Sequence, residues 1–322
     1  MRLKMVPENT TIDFFRFATY TFGASALAMV ASIIAFFVMG LNYGIDFRGG
    51  TTIRTESQQT LVIKQYREAL IKLNIGDISI TEVFDPNFKS TKKVTEIRIE
   101  QQKGAESVTI ETISRIKTAL RGIDPKMVFP SVESVGPKVS GELIQTAIEA
   151  VLASILAVLF YIWMRFEWQF SVGAVVALVH DVTLTIGVFA VLQIKFDLAI
   201  IAAILTIVGY SLNDTVVVFD RVRENLRRYK KTPLREVLNQ SINETLSRTV
   251  MTSFTTLIAL ISLFVLGGDV IRGFVFAMIW GVVVGTYSSV FVASNFLLKF
   301  GVKRDWTKND GSAGTQYANI DA

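Results

Sequence analysis

The sequence contains no cysteine, a single histidine and few charges for its length. Without cysteine, disulfide bonds, thiolate metal sites and cysteine nucleophiles are all excluded, and the redox compartment is left undetermined. Charged residues make up 19% of the 322 residues, below the roughly 25% usual for soluble domains, whereas 51% are hydrophobic. Much of the chain must therefore face something other than water, which indicates a membrane protein.

Long apolar stretches predict six membrane-spanning helices. The interval between Arg16 and Asp46 carries no charge. It exceeds the roughly 20 apolar residues that one span needs and is too long for the core of a signal peptide, so a retained first helix is expected. Five further apolar stretches follow, at 143–164, 169–193, 198–219, 249–268 and 272–298.

The basic residues indicate how these helices are oriented. The net charge is +5, but the lysines and arginines lie beside the apolar stretches, so membrane orientation explains them better than nucleic-acid binding. Seven of them fall within Arg221–Arg235, which the positive-inside rule places in the cytoplasm. Counting spans then places both termini in the cytoplasm and the segment between spans one and two outside it.

The segment between the first two spans has the pattern of an α+β domain. Strands are expected at Gly50–Ser57, Ile78–Phe84, Val94–Glu100 and Met127–Val135, with helices at Gln58–Leu73 and Glu106–Leu120. A turn is expected at Asp85–Asn87. This order of strand, helix, strand, strand, helix, strand predicts a ferredoxin-like domain whose two helices cover one face of the sheet. That fold serves many functions and implies none.

These patterns divide the chain into five segments. The fold class is a polytopic α-helical membrane protein with six transmembrane helices and one ferredoxin-like extracytoplasmic domain. A polar tail without apolar periodicity is expected to be disordered. In order, the segments are a cytoplasmic N-terminal segment (1–19), transmembrane helix 1 (20–41), the ferredoxin-like domain (42–140), a five-helix bundle with a basic cytoplasmic loop at 221–247 (141–300), and the tail (301–322).

Two acidic positions inside apolar stretches are candidates for function. A carboxylate at the bilayer centre costs roughly 2.5–3.5 kcal/mol on insertion scales, so such residues are usually functional. Asp214 is the only charge between Asp197 and Asp220. The chain's only histidine, His180, precedes Asp181 near the middle of the third span, as a proton path would require. Alternatively, these side chains only hold neighbouring helices together. The spacing of the spans places the two aspartates roughly 10 Å apart in depth.

The fifth and sixth spans each carry a row of small or polar residues. Arg248, Thr252, Thr255, Ala259 and Ser262 recur at helical spacing, and this face is expected to look inward, with Arg248 near enough to Asp214 to form an ion pair. The alternative for Arg248 is an interface anchor that snorkels. The sixth span has a comparable row that permits close helix contact or lines a pathway, formed by Gly281, Gly285, Ser288 and Asn295.

These motifs resemble the SecF proteins of the bacterial Sec protein-export machinery. The similarity extends from about residue 20 to residue 300, and the Asn213-Asp214 pair favours SecF over its partner SecD. The matching segments are Gly44-Ile45-Asp46-Phe47-Arg48-Gly49-Gly50, Val135 to Leu143 with Gly136 and Gly141, His180-Asp181, Gly209 to Asn225, and Ser247-Arg248-Thr249.

The resemblance implies a proton-driven accessory subunit related to the resistance-nodulation-division transporters. In that family SecF and SecD supply complementary six-span halves, join the SecY, SecE and SecG channel, and use the proton-motive force to help preproteins cross the inner membrane. By resemblance Asp214 carries the proton and Arg248 is its charge partner, with Asp181 and His180 assisting and Asn213, Thr252 and Thr255 as polar support. No cofactor other than protons, no hydrolytic active site and no nucleic acid are expected.

Three other functions are compatible with buried aspartates. The first is a proton-coupled exporter of small molecules or lipids from the same superfamily, which would ordinarily carry twelve spans in one chain. The second is an intramembrane aspartyl protease, but its two carboxylates must share a proton and its Gly-x-Gly-Asp context is absent around Asp214. The third is a passive scaffold, which leaves the cost of burying Asp214 unexplained.

Overall fold

The computed structural model describes residues 10–57, 63–73, 75, 78–83, 93–99 and 108–302. The expected turn at residues 85–87, the first residues of both expected helices of the α+β domain, and the expected disordered tail from residue 308 lie outside this range.

The secondary-structure elements are given in chain order. The first half of the chain contains α1 (Ala18–Met39), β1 (Asn42–Tyr43), α2 (Ile45–Arg48), β2 (Gly50–Ser57), α3 (Ile63–Ile71), β3 (Ile78–Val83), β4 (Lys93–Ile99), α4 (Ile110–Arg121) and β5 (Val128–Val135). The second half contains α5 (Pro137–Arg165), α6 (Trp168–Leu192), β6 (Lys195–Phe196), α7 (Leu198–Arg228), α8 (Leu234–Leu266), α9 (Asp269–Ser288), a π-helical turn (Ser289–Ala293) and α10 (Ser294–Phe300).

Six helices in the described part of the chain are long and apolar enough to cross a membrane. They are α1, α5, α6, α7, α8 and the continuous helix formed by α9, the π-turn and α10. The predicted six-span architecture is therefore confirmed. Helix α5 leaves large apolar side chains such as Leu152, Leu156 and Phe160 exposed, as expected for a surface that faces lipid.

The prediction of a loop at 221–247 is wrong, because most of this segment is helical. Helix α7 continues to Arg228 and α8 begins at Leu234, so only residues 229–233 separate them. The helices extend past their apolar stretches because polar side chains pair between them. Arg221 forms ion pairs with Glu224 on its own helix and with Glu244 on α8, and Asn225 donates a hydrogen bond to Ser241 at 3.0 Å.

The four long strands form an antiparallel sheet in the order β3-β4-β2-β5. Helices α3 and α4 cover one face, where Tyr66, Leu70, Ile116 and Leu120 pack against strand residues that include Ile97. The predicted four-stranded sheet with both helices on one face is confirmed. We call β2–β5 with α3 and α4 the sheet domain.

The opposite face of the sheet is turned toward the bundle. Val94 points to this face and is buried, although strict alternation with Ile97 and Ile99 would expose it. Two neighbours on the same face contact the segments beside the spanning helices. Glu96 pairs with Lys195 at 3.5 Å, and Arg98 donates a hydrogen bond to the Tyr43 carbonyl at 3.1 Å.

Candidate functional site

Asp214 lies on the buried face of α7, where two hydroxyl groups hold its carboxylate. Thr249 of α8 donates a hydrogen bond to Oδ1 and Ser289 of the π-turn donates one to Oδ2, both at 2.6 Å. The residue is only 8% exposed. Among the described residues no basic side chain forms an ion pair with Asp214. Both hydrogen-bond donors to its carboxylate are thus neutral hydroxyl groups, and the charge of Arg248 acts on it without forming an ion pair.

Asp181 on α6 is a second buried carboxylate with hydroxyl partners. Ser211 of α7 and Ser288 of α9 donate hydrogen bonds to Oδ2 at 2.6 and 2.8 Å, and Nδ1 of His180 contacts Oδ1 at 2.9 Å. Both His180 and Asp181 are inaccessible to solvent. The imidazole stacks on the ring of Tyr287, and its Nε2 has no hydrogen-bond partner within the described part of the chain.

Two consecutive serines connect the carboxylates. Ser288 ends the regular part of α9 and Ser289 begins the π-turn, so one backbone segment contacts Asp181 and Asp214 at once. A π-turn widens the helix and is frequently found at functional sites. Together, Asp181, Asp214, Ser211, Thr249, Ser288 and Ser289 form what we call the carboxylate cluster.

The expected depth difference between the two aspartates is wrong. Ser211 contacts Asp181 and lies three residues before Asp214 on the same helix. At 1.5 Å per residue this amounts to about 4.5 Å, instead of the roughly 10 Å expected from the sequence. The sequence estimate counted span ends from flanking charges, which do not coincide with the helix ends. The aspartates do not share a hydrogen bond with each other, since serine hydroxyls lie between them.

Both serines have a second acceptor on their own helix. Ser288 lies 3.2 Å from the carbonyl oxygen of Gly285, and Ser289 lies 3.1 Å from that of Thr286. A hydroxyl can therefore turn from the carboxylate to a backbone carbonyl without losing its hydrogen bond. Such a cluster suits a carboxylate that alternates between charged and neutral forms. No group of three or more His, Asp or Glu residues suited to a metal ion occurs in the described residues.

The prediction that this face of the fifth span looks inward is wrong within the single chain. Arg248, Thr252, Thr255, Ala259 and Ser262 are all exposed on α8. The buried row of the same helix is shifted by one position and consists of Thr245, Thr249 and Ser253. Packing of α8 against α7 and α9 selects this second row, and periodicity alone did not distinguish the two.

The predicted pair of Asp214 and Arg248 is not formed in this structure. Arg248 is exposed and immediately precedes Thr249, the residue that does contact Asp214. Asn213 is exposed as well, and Thr252 and Thr255 donate hydrogen bonds to carbonyls of their own helix. Thr252 also donates to the carbonyl of Thr249, but in the described part of the chain none of these three predicted support residues forms a hydrogen bond with either aspartate. Their roles in function stay predictions.

Sequence reasoning missed three cluster residues, Ser211, Thr249 and Ser289. Thr245, Thr249, Ser253 and Thr256 recur at steps of four, four and three, which is a hydroxyl row with helical period. That signal would have identified Thr249. For Ser289 the only signal was its position beside Ser288. This signal is weak, because in a regular helix two consecutive residues point to different faces.

The predicted close-contact row of the sixth span is confirmed. A Cβ atom on Gly281 would lie 2.3 Å from the Ile207 side chain, and one on Gly285 would lie 3.1 Å from that of Ser211. Ser288 and Asn295 of the same row are buried. The two glycines let α9 approach α7 closely, which places Ser288 and Ser289 beside the aspartates.

The glycines of the two segments that resemble SecF, residues 44–50 and 135–143, lie where the chain enters and leaves the sheet domain. Gly49 and Gly50 adopt positive φ angles of 71° and 115°, which favour glycine. Gly44 approaches Asp197 so closely that a Cβ atom would lie 3.2 Å from its Cβ. Gly136 is the residue before α5, and Gly141 lies on the exposed side of its first turns.

Two protein-family models match the chain. The model for the C-terminal part of the protein export membrane proteins SecD and SecF matches residues 115–303, and the model for the SecD/SecF GG motif matches residues 34–61. The second match includes the signature segment around Asp46.

Curated proteins of similar sequence include two SecF subunits of protein translocase. The chain is 61% identical over 321 residues to SecF of Cereibacter sphaeroides, with 100% of this chain and 99% of that one covered. It is 58% identical to SecF of Rhodobacter capsulatus, with 97% and 95% covered. A SecDF protein of Brucella abortus is 41% identical over 94% of this chain, which spans only 39% of that protein.

Two solved structures of SecDF share the fold. The crystal structure of SecDF from Thermus thermophilus, a translocon-associated membrane protein, superposes with a TM-score of 0.81 at 34% identity, covering 92% of this chain and 39% of that one. SecDF in a super-membrane-facing form superposes with a TM-score of 0.68 at the same identity, covering 93% and 40%.

Proposed function

The chain belongs to the SecF family of Sec protein-translocase subunits, and we propose that it uses the proton-motive force to assist the export of preproteins. The observation that carries this proposal is the carboxylate cluster. Two buried carboxylates in a membrane bundle receive hydrogen bonds from serine, threonine and histidine side chains and from no lysine or arginine. A permanent buried anion would be expected to have a cationic partner.

The proposed cycle alternates the charge of Asp214. While the carboxylate is ionised, the Thr249 and Ser289 hydroxyls point to it and hold α8 and the π-turn against α7. Once the Asp214 carboxylate takes up a proton, the Ser289 hydroxyl turns to the Thr286 carbonyl, and the contact between α7 and the π-turn weakens. Protonation thereby shifts the balance between two packings of the bundle. Asp181 and His180 are proposed to pass protons to or from the same serine pair.

The driving force is adequate for such a shift. One proton crossing 100 mV supplies about 2.3 kcal/mol. That free energy changes a two-state equilibrium by roughly fiftyfold. The two SecDF structures superpose on this chain with TM-scores of 0.81 and 0.68 over nearly equal coverage, so the arrangement of their parts differs. A fold with more than one arrangement is what the cycle requires.

A SecD-type partner is proposed to cover the exposed polar row of α8. Arg248, Thr252 and Thr255 lie on a spanning helix, where an exposed guanidinium and hydroxyls would be costly against lipid. The adjoining face of α7 is also exposed and small or polar, with Thr206, Gly209 and Asn213. Relatives named SecDF are more than twice as long as this chain, which leaves room for a complementary half. In that assembly Arg248 would lie between the halves.

The remaining parts of the proposal concern location and partners. We propose the bacterial inner membrane, with the basic segment 221–235 and both termini in the cytoplasm and residues 42–140 in the periplasm, where preprotein leaves the SecY, SecE and SecG channel. Protons are the only coupling agent proposed. Cysteines introduced at Glu111 and Lys231, both exposed, should react with impermeant reagents from opposite sides of the membrane.

The test of proton coupling is Asp214→Asn in spheroplasts or inverted vesicles, with preprotein release measured with and without an uncoupler. Asparagine keeps the shape and accepts a hydrogen bond but cannot exchange a proton. We expect uncoupler-sensitive release to be lost while membrane insertion and SecD binding persist. Asp214→Glu should retain part of the activity.

Asp220→Asn is the matched control for this experiment. Asp220 lies on the same helix, is exposed and pairs with Arg165 at 3.3 Å, so the same chemical change there should leave release nearly unchanged. If Asp214→Asn exports as well as the unmodified chain and remains uncoupler-sensitive, Asp214 is structural and the proposal is wrong.

A further inference from the structure

The signature segment, residues 40–50, has a structure that the proposed function does not explain. It links α1 to β2, which pairs with both β4 and β5 inside the sheet. On the way it pairs in parallel with the connection between α6 and α7, through β1 and β6, and Gly44 donates a hydrogen bond to the Phe196 carbonyl at 2.7 Å. The segment is therefore attached to a part of the bundle that is distant in sequence.

The contact with α7 is specific. The Asp46 carboxylate accepts a hydrogen bond at 3.0 Å from the backbone N–H of Leu198, the first residue of α7. Asp197, the residue before the helix, accepts one from Ala199 at 3.1 Å. Two carboxylates thus satisfy free N–H groups at the positive end of the helix dipole, one from the α6–α7 connection and one from the signature segment.

Ring packing and charge also contribute to the contact between the signature segment and the start of α7. Tyr43 and Phe47 of the signature segment pack their rings against Phe196 at 6.2 and 5.9 Å. Burial raises the pKa of Asp197, and the nearby charge of Asp46 adds to this, whereas Lys195 opposes it. On the other flank, Ser140 of α5 donates a hydrogen bond to the Ile45 carbonyl at 3.4 Å. Ends of α1, α5 and α7 therefore meet at this segment.

The sheet domain and the bundle also meet at the ion pair of Glu96 with Lys195, and beside it they are separated by space. A cavity of about 770 Å³ lies between them, lined on the sheet side by Thr52, Arg54 and Glu96 and on the bundle side by Lys195 and Arg272. None of residues 40–50 lines this cavity, and the signature segment is instead a hydrogen-bonded connection between the two parts. A movement of α7 is therefore transmitted to β2 more directly through residues 40–50 than across the cavity.

We propose that Asp46 is a positioning residue that couples α7 to the sheet domain. Helix α7 is continuous from Leu198 to Arg228 and carries Asp214 about 24 Å from its first residue, at 1.5 Å per residue. A shift of this helix moves the N–H group that Asp46 holds, and β2 begins four residues after Asp46. The purpose of this coupling rests on the proposed function, but the mechanical link itself does not.

The test compares two carboxylates that cap the same helix end. Spin labels are attached at Glu111→Cys on α4 and Leu192→Cys at the end of α6, both exposed sites in a chain without other cysteines. Distance distributions are recorded for the full chain in lipid, in the Asp46→Ala and Asp197→Ala backgrounds. Both substitutions remove one cap, but only Asp46→Ala cuts the link to the sheet domain.

We expect Asp46→Ala to broaden the distribution about twofold, as for a locally opened contact, and Asp197→Ala to leave it narrow. A narrow distribution in both variants, or equal broadening in both, overturns the inference, because Asp46 would then be inert or only a helix cap. If Asp46→Ala does not insert, Asp46→Asn is used, which keeps an acceptor oxygen and should broaden the distribution less.

Preprotein export by the same variants separates this inference from the proposed function. Should export prove insensitive to an uncoupler in the unmodified chain, the proton mechanism fails while the distance measurement still decides the role of Asp46. Should export be uncoupler-sensitive, Asp46→Ala is expected to lower it several-fold more than Asp197→Ala does.

Discussion

Two buried aspartates, one in the sheet domain and one in the bundle, accept a hydrogen bond from a serine hydroxyl at 2.6 Å. Asp124 receives it from Ser57, and Asp214 from Ser289. Their other donors differ. Asp124 also accepts from the backbone N–H of Lys126, whereas the second donor to Asp214 is the Thr249 hydroxyl. The comparison separates a carboxylate with one backbone donor, which cannot turn away, from one whose two donors are both rotatable hydroxyls.

One of the two donors to Asp124 is fixed. The Ser57 hydroxyl lowers the pKa of Asp124 most, and the backbone N–H of Lys126, which cannot rotate to another acceptor, lowers it further. The Lys126 charge acts in the same direction. Around Asp214 the hydroxyls are rotatable, and Ser289 has the Thr286 carbonyl as a second acceptor. The same residue type thus has one fixed donor in the sheet domain and only rotatable side-chain donors in the bundle, as the proposed switching role of Asp214 requires.

The largest expected effect is on export, and it tests whether Asp181 behaves like Asp214 or like Asp124. Asp181 accepts from Ser211 and Ser288, which are rotatable, and contacts His180. If it is a switching carboxylate, Asp181→Asn should lower proton-driven export by about tenfold or more, as expected for losing a proton-transfer group. Purified Asp181→Asn should melt within a few degrees of the unmodified chain. A large fall in melting temperature with normal export per folded molecule would instead place it with Asp124.

A smaller effect is expected from removing one rotatable donor. Ser289→Ala deletes a hydrogen bond to a charged group, worth about 1.5–3 kcal/mol, and so disfavours ionised Asp214. Export should fall several-fold, and its pH optimum should move upward, since a higher pH is needed to release the proton.

The matched control for Ser289→Ala is Ser294→Ala. Ser294 is buried on the same helix and donates only to the Ser289 carbonyl, at 3.2 Å, with no carboxylate partner. Its loss should leave the pH profile unchanged. Equal upward shifts in both variants would contradict the special role of Ser289.

The third effect concerns stability alone. Because the pKa of Asp124 is lowered in the folded chain, it contributes stability at pH values above its ordinary pKa near 3.8, and this is lost as the pH falls through the folded value. Asp124→Asn should therefore speed hydrogen exchange in β2 at pH 6 and have a smaller effect near pH 3, after correction for intrinsic rates. A difference that persists unchanged to pH 3 would show that charge is not the cause.

Most of the architecture could be predicted from the sequence, because the spanning helices and the sheet follow from patterns of apolar and polar residues. Six apolar stretches and alternating strands are local patterns that lipid and one hydrophobic face enforce, so α1, the sheet and the glycine row of α9 followed. The site was predicted in part. Asp214 and Asp181 were identified from the cost of burial, and the structure joins both through Ser288 and Ser289, with His180 in contact with Asp181.

The partners of these residues could not be predicted in the same way. On α8 the rows beginning at Thr245 and at Arg248 have equally good helical spacing, and only contact with α7 and α9 decides which is buried. Ser289 depends on the π-turn, and the helical ends of α7 and α8 depend on ion pairs between them. Each of these features arises from tertiary packing and leaves no periodic signal in the sequence.

The smallest expected effect uses the two rows of α8 to test whether position, and not hydroxyl chemistry, decides function. Thr249→Val and Thr252→Val are the same substitution three residues apart. Thr249 donates to Asp214, whereas Thr252 is exposed and donates to carbonyls of its own helix, those of Arg248 and Thr249. Valine keeps the size and branching of threonine, so each change removes only a hydroxyl.

For Thr252→Val we expect stability within about 0.5 kcal/mol of the unmodified chain, as for surface positions, and export within about twofold. Thr249→Val should lower export several-fold and move its pH optimum upward, because it removes a donor from ionised Asp214. Export is measured across pH 6 to 9 for both variants expressed to equal levels. If Thr252→Val is the more damaging, the exposed row matters more than the carboxylate cluster, most simply through contact with a partner subunit. In that case Thr249 would serve packing, and the distinction between fixed and rotatable donors would lose its main support.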